Sequence, residues 1–391
     1  MRDARGVVVV SPDDRMRLID GVRRRCADDV GDVDTASLAA LIREEARGLV
    51  SDRELLEILA DTEAIVLGAG VLEPLLQAPD VTDVLVNGPD DVWVDHGRGL
   101  RRAAADLGSV AAVTELAQRL AARAGRRLDA AHPWVDATLP DGSRLHAVIP
   151  PIAGGCALVS IRTMRRRTLR LVDLVEGGLD PAVADLLVEM VTARLSFLVS
   201  GGTGSGKTTL LSMLLEHVAA DERVVVVEDA DELRPDHPHT VKLLSRPANI
   251  EGSGEVPLRT LVRQALRMRP DRIVVGEVRG AEVTELLMAL NTGHHGGAGT
   301  VHANSVHDVP ARICALGMLA DLSADAVQAQ LTSAVDVLVH VGRSPDGHRG
   351  VEQIALLRAE DRRPVVLPVW RRRGGFTADA RLLDELLGEA R

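Results

Sequence analysis

Residues 201–208 read Gly-Gly-Thr-Gly-Ser-Gly-Lys-Thr, set between the apolar run Phe197-Leu198-Val199 and a second one formed by Leu210, Leu211, Leu214 and Leu215. Gly201, Gly206, Lys207 and Thr208 fit G-x-x-x-x-G-K-[ST], a pattern that demands a buried strand before it and a helix after it. Glycines let the loop turn its N–H groups onto phosphate oxygens without a Cβ in the way, and the helix adds its positive N-terminal end. Gly202, Thr203, Gly204, Ser205, Gly206, Lys207, Thr208 and Thr209 are therefore the candidate nucleotide contacts. Lys207 is placed on the solvent side of the loop, a phosphate contact and not a core residue, to reach the β- and γ-phosphates, and Thr208 to offer its hydroxyl to Mg²⁺. Composition sharpens the reading: of 46 basic residues only Lys207 and Lys242 are lysines. A compact ammonium fits inside a phosphate-wrapping loop where a planar guanidinium does not.

The surrounding pattern alternates short apolar strands, 196–200, 223–228 and 272–277, with helices that start at Pro181, Lys207 and Ala281. Strands of this kind belong to a parallel sheet with both faces covered. From Val81 to Arg162 the hydrophobic period is two instead, with turns at Asn87-Gly88-Pro89 and Asp141-Gly142, and a helix over Val110–Ala124 interrupts it. Before that, Leu38, Leu41, Ile42, Leu49, Leu55, Leu56 and Leu59 fall at helical spacings. The expected organisation is a helical leader over 1–64, a small α+β domain over 65–165, a linker over 166–180, and an α/β domain over 181–391.

Three further stretches carry candidate chemistry. Glu228, Asp229, Asp231 and Glu232 cluster where a buried strand ends; such carboxylates orient an attacking water or a magnesium-bound one, and an acidic surface turn looks the same. The strand 272–277 passes through Gly276 to Glu277, which is either a Mg²⁺-side carboxylate or a plain strand and turn. In 291–305, His294, His295 and His302 stand among glycines. This reads as a γ-phosphate-sensing loop, a structural loop or a zinc site, and zinc is disfavoured by the lack of Cys or acidic ligands nearby. The arginines at 162, 165, 166, 167 and 170 read as a solvated surface or linker.

Other features exclude classes. The net charge of −11 and the scarcity of rings (Trp93, Trp134, Trp370, Phe197, Phe376, no Tyr) argue against nucleic-acid binding. Cys26, Cys156 and Cys314 make no metal or disulfide pattern, which fits a reducing cytosol. No run approaches the ~18 apolar residues of a membrane span, so any membrane contact is expected to be peripheral.

With these boxes in order, the chain resembles the secretion ATPase superfamily, the motors of type II secretion, type IV pili and type IV secretion. The resemblance covers roughly 65–345: VTDVLVNGPDDVWVD and GRRLDAAHPWVDATLPDGSRLHAVIPP in the N-terminal domain, EDADEL as the Asp box, GEVRGAE as Walker B, GTVHANS as the His box. It implies a RecA-like P-loop core preceded by a PAS-like α+β domain. It also implies that Glu232 is the catalytic glutamate and Glu277 the Walker B acid that holds Mg²⁺ through water. His302 would be the His-box histidine with His294 near it, and Arg144 and Arg162 would reach the phosphates when the N-terminal domain closes. The resemblance further implies Mg²⁺-dependent ATP hydrolysis by a homohexamer at the cytoplasmic face of the inner membrane, a membrane platform protein as partner, and no direct nucleic-acid contact. LRMRPDRIVVGEVRG and NTGHHGGAGTVHANS are most similar to the tight-adherence (Tad/Flp) pilus ATPases and their conjugation-type relatives, and the tetracysteine motif of the usual type II secretion and pilus-extension motors is missing. Asp231 departs from the family pattern, standing where a small apolar residue is expected. The competing readings are a nucleic-acid translocase or recombinase with a RecA-like core, which single-stranded DNA would stimulate, and an inactive nucleotide-binding scaffold, against which Lys207, Thr208, Glu232 and Glu277 all speak.

Overall fold

The computed structural model describes residues 68–97, 99–164, 169–246, 253–343 and 349–390, with parts of 18–62. It divides into two units, Met1–Arg166 and Arg167–Arg391.

In the first unit, β1 (Asp83–Val86), β2 (Val92–Asp95), β3 (Leu100–Arg102), β4 (Trp134–Thr138), β5 (Arg144–Val148) and β6 (Leu158–Arg162) form one antiparallel sheet in the order β3-β2-β1-β6-β5-β4. The two-residue period sends Val84, Val94, Leu145, Val159 and Ile161 to one face, where they bury against Leu116 and Leu120 of the helix Val110–Arg123. Each such side chain contributes roughly 1.5–3 kcal/mol when fully buried. Ser109 caps that helix by accepting the Ala112 N–H at 3.2 Å. In the leader, the helix Thr35–Glu45 supplies Leu38 and Ile42 to a small cluster with Val22, Leu55 and Ile58. Leu56, expected in the apolar stripe, is 66% exposed, and Ile58 takes its place. Residues three apart share a helix face and adjacent ones do not, so Leu55 pairs with Ile58 and turns Leu56 outward. Leu49 lies outside the described residues.

The second unit holds β7 (Phe197–Gly201), β8 (Val224–Glu228), β9 (Thr240–Leu244), β10 (Arg272–Val278), β11 (Ala298–His302), β12 (Val337–Arg343), β13 (Arg349–Glu360), β14 (Arg363–Arg371) and β15 (Gly375–Phe376). Their order is β15-β14-β13-β12-β7-β11-β10-β8-β9; β12 through β9 run parallel, and β13 to β15 extend the sheet antiparallel. One core lies on each face. The first gathers Leu187, Leu210 and Leu211, the second Val262, Leu286, Ile313 and Leu331. This is the RecA-like core with helices on both faces that strands buried on both sides require. The stretch expected to be a linker contains a helix, Leu171–Glu176, with Leu171 buried and Asp173 accepting the Arg170 N–H at 2.7 Å. Arg165, Arg166 and Arg167 lie outside the described residues.

Because β8, β10, β11 and β7 are neighbours and parallel, their carboxyl ends share one edge of the sheet. That edge receives Glu228, Glu277, His302 and the glycine-rich loop after Gly201. Ligand sites of open α/β sheets form at such edges.

Candidate nucleotide site

Gly201 ends β7 pressed against its neighbour: a Cβ there would lie 2.4 Å from the Val341 carbonyl oxygen on β12 and 2.6 Å from Ser205 Oγ. No side chain fits, so the loop must begin with glycine. Gly206 sits at φ 98° as the N-cap of the helix Lys207–Leu215, a left-handed conformation that glycine adopts without strain. Ser205 Oγ donates to the Gly202 carbonyl at 2.9 Å and closes the loop. The result is a ring of backbone N–H groups at a helix N-terminus, the arrangement that binds phosphate.

Lys207 was expected on the solvent side of the loop, and the structure corrects this: it is 7% exposed. The loop wraps its stem, and Nζ donates to the carbonyls of Gly201 at 3.1 Å and Gly202 at 2.9 Å. Burial pushes its pKa down, opposed by the carboxylates of Glu277 and Glu232. Glu277 Oε1 stands 2.6 Å from His302 Nε2, and its other oxygen accepts from Arg279. Burial and then the Lys207 charge lower the pKa of His302, against the pull of Glu277. The ring is therefore neutral at pH 7 and donates from Nε2 to Glu277. Glu232 is exposed on the loop after β8, within electrostatic reach of Lys207. Lys207, Glu232, Glu277 and His302 thus converge in the second unit.

Arg144 and Arg162 belong to the first unit. They are cross-strand partners on β5 and β6, on the sheet face opposite the core, and Arg162 Nε donates to Asp83 Oδ1 at 3.0 Å. His294 is not near His302. It precedes β11 while His302 ends it, and its Nδ1 meets the Pro270 carbonyl oxygen at 3.2 Å, before β10 begins. A strand reverses no direction along its length, so the two histidines mark opposite edges of the sheet. Asp231 takes its unexpected position by pairing with Lys242 Nζ at 2.6 Å and Arg234 at 2.9 Å; the chain's second lysine serves it.

Sequence reasoning missed a cleft of about 260 Å³ beside Gly202, lined by His302, Ala303, Asn304, Asp308 and Arg312. Arg312 sits on the helix Val309–Met318 after the His box, and no spacing rule singled it out. The donor set fits a Mg²⁺-nucleotide. Among the described residues no group of three or more His, Cys, Asp or Glu is arranged to hold a metal alone. A hard cation here would take oxygens from Thr208, from phosphates and from water, with Glu277 close by, which is the usual pattern for Mg²⁺.

Glu228, at the end of β8, is 3% exposed. Its Oε1 accepts the Leu233 N–H at 3.0 Å, and its Oε2 is buried with no hydrogen-bond partner among the described residues. Burial pushes its pKa up to about 8 from an ordinary 4.5. The folded state therefore holds this proton more tightly than the unfolded chain. The stability so contributed is complete below about pH 4.5 and is lost as pH rises through about 8. Glu228→Gln, which cannot ionise, should melt above the wild type at pH 8 and near it at pH 4.5, with a difference on the order of a few kcal/mol. A melting difference independent of pH would refute this account.

Comparison with known proteins places this geometry. The family model described as "Type II/IV secretion system protein" matches residues 66–364. A putative conjugal transfer protein of Mycobacterium tuberculosis is 55% identical over 346 residues, 87% of this chain and 98% of that one. The conjugal transfer protein TrbB of Rhizobium radiobacter is 33% identical over 289 residues, covering 70% of this chain and 83% of its own. Among solved structures, the ATPase DotB of Yersinia pseudotuberculosis has the same fold, with a TM-score of 0.53 at 17% identity over 84% of both chains.

Proposed function

The chain belongs to the type II/IV secretion system protein family, its P-loop makes it an ATP hydrolase of that family, and we propose that it works as a Mg²⁺-dependent motor in a ring of six. The observation that carries this reading is the convergence of Lys207, Glu232, Glu277 and His302 on one edge of the parallel sheet. In it, the loop 202–209 binds the phosphates, and Lys207 neutralises charge on them. Glu232 accepts a proton from the attacking water, and Glu277, oriented by its bond to His302, faces the metal side of the site. Mg²⁺, when bound, offsets phosphate charge as it builds. An exposed carboxylate on a loop suits a water-positioning role, since the water must enter and leave.

Arg144 and Arg162 are assigned to the same reaction as arginines that act on developing charge when the first unit closes over a nucleotide, in their own subunit or across the ring. Each closure is a rigid-body motion, passed to a platform protein at the inner membrane to drive pilin assembly or export. No described helix is long and apolar enough to cross a membrane; the contact in this reading is a peripheral one at the cytoplasmic face. The system is of the Tad/Flp pilus or conjugation type, and nucleic acid is not its direct substrate.

Sedimentation and ATPase rate measured on the same samples test the motor reading. Assembly should rise with concentration and with ATP analogues, and specific activity should rise with it, because a lone subunit lacks groups that complete its site. Arg144→Ala and Arg162→Ala should each cut turnover about 100-fold at unchanged nucleotide affinity. A monomer at full specific activity, or two fully active arginine variants, would end the ring mechanism and leave the P-loop assignment standing. Stimulation by single-stranded DNA would favour a translocase instead.

A further inference from the structure

Glu228 takes no part in the reaction proposed above, yet it touches both elements that carry that reaction's carboxylates. The bond from the Leu233 N–H to its Oε1, at 3.0 Å, folds the loop 229–232 back onto the end of β8. Glu232, the proposed base, is the residue just before Leu233. On its other side the carboxyl lies across Gly276, the residue just before Glu277. A Cβ built on Gly276 would stand 2.6 Å from Glu228 Cγ and 2.8 Å from its Oε1. Gly276 is itself fixed, since its carbonyl accepts the Thr300 hydroxyl at 2.6 Å from β11. The main-chain carbonyl of Glu228 accepts the Ser245 N–H at 2.8 Å, just past the end of β9. The charged groups that face the side chain are Lys242 on β9 and Asp231 and Glu232 in the loop.

We propose that Glu228 is a positioning residue: laid across Gly276 and bonded to the Leu233 N–H, its side chain holds the Glu232 loop in register with the Glu277 strand. Gly276 is glycine for the same reason, because any side chain there would displace the carboxyl. The bond to Leu233 uses an acceptor oxygen and no charge, so a neutral carboxylic acid serves, and so does an amide. Alanine removes the bond; Asp229 stays tied to the Ser245 hydroxyl at 2.8 Å and Asp231 to Lys242 at 2.6 Å, but the loop is released at Leu233, next to Glu232. Misplacement of a catalytic group by about 1 Å costs on the order of 100-fold in rate.

This inference rests on the ATPase reading, and the test separates the two. ATP turnover, binding of a fluorescent ADP analogue and melting temperature are measured on the full chain. Glu228→Ala should lower kcat about 10- to 100-fold with KM and analogue affinity within about 3-fold of wild type. Glu228→Gln should restore kcat to within about 3-fold of wild type. Gly276→Ala should lower the melting temperature in the wild-type background and not in the Glu228→Ala background, where the clash is gone. Glu228→Ala at the wild-type rate, Glu228→Gln as slow as Glu228→Ala, or Gly276→Ala equally costly in both backgrounds each overturns the proposal alone. A wild-type chain that binds no ADP analogue overturns both readings.

Discussion

Lys207→Ala is expected to lower ATP turnover by at least about 100-fold, the loss that follows removal of one preorganised donor to developing charge. The effect should also reach nucleotide affinity, because Lys207 is already inside the loop, bonded to the Gly201 and Gly202 carbonyls, with a third donor of its ammonium left for a phosphate. Its burial adds a second consequence. At 7% exposure the ammonium satisfies two loop carbonyls; alanine leaves the Gly202 carbonyl with the Ser205 hydroxyl but takes the side-chain donor from the carbonyl of the buried Gly201. An unsatisfied buried polar group costs roughly 1–3 kcal/mol. The melting temperature of Lys207→Ala should therefore fall by a few degrees, where a solvent-side lysine would leave it unchanged. Turnover at the wild-type rate would end the P-loop assignment. An unchanged melting temperature would mean that the loop is open in solution.

How much of this was legible in the sequence depended on whether the signal was local. The P-loop is a run of contiguous residues whose neighbours, a strand and a helix, are read from the same stretch: Gly201 ends the strand and Gly206 caps the helix. The alternation of Val84, Val86, Val92 and Val94 likewise reports a sheet buried on one face. Three strands of the larger sheet, β7, β8 and β10, were legible because each carries a short run of Phe, Leu, Ile or Val, as strands covered on both faces do. β9 and β14 were not: they are half-buried along most of their length and show no period. His294 and His302 look alike in sequence because both sit among glycines, and only the direction of β11 separates them. Lys207 looked solvent-facing because motif logic describes the bound phosphate and says nothing of the loop carbonyls. Glu228 was visible only as one acid in a cluster; its distinct environment comes from Gly276, 48 positions later and one strand away, which no local pattern can relate to it.

Glu232→Gln should bind Mg²⁺-ATP close to the wild-type affinity and turn over about 100- to 10,000-fold more slowly, the range contributed by a general base. Binding depends on the loop N–H groups and on Lys207, none of which the substitution touches. Accepting a proton from water needs a carboxylate, and an amide of the same shape has no basic oxygen. The environments of the three acids on this edge support this choice of base. Glu228 is buried and protonated near neutral pH. Glu277 spends one oxygen on His302 and the other on Arg279. Glu232 is exposed on a loop and electrostatically coupled to the P-loop lysine. Of these three glutamates it is the one exposed to water. The measurement is a single-turnover time course beside an equilibrium titration with labelled ATP. A Glu232→Gln variant that hydrolyses normally while Glu277→Gln stalls would move the base to the end of β10 and leave His302 as its orienting partner.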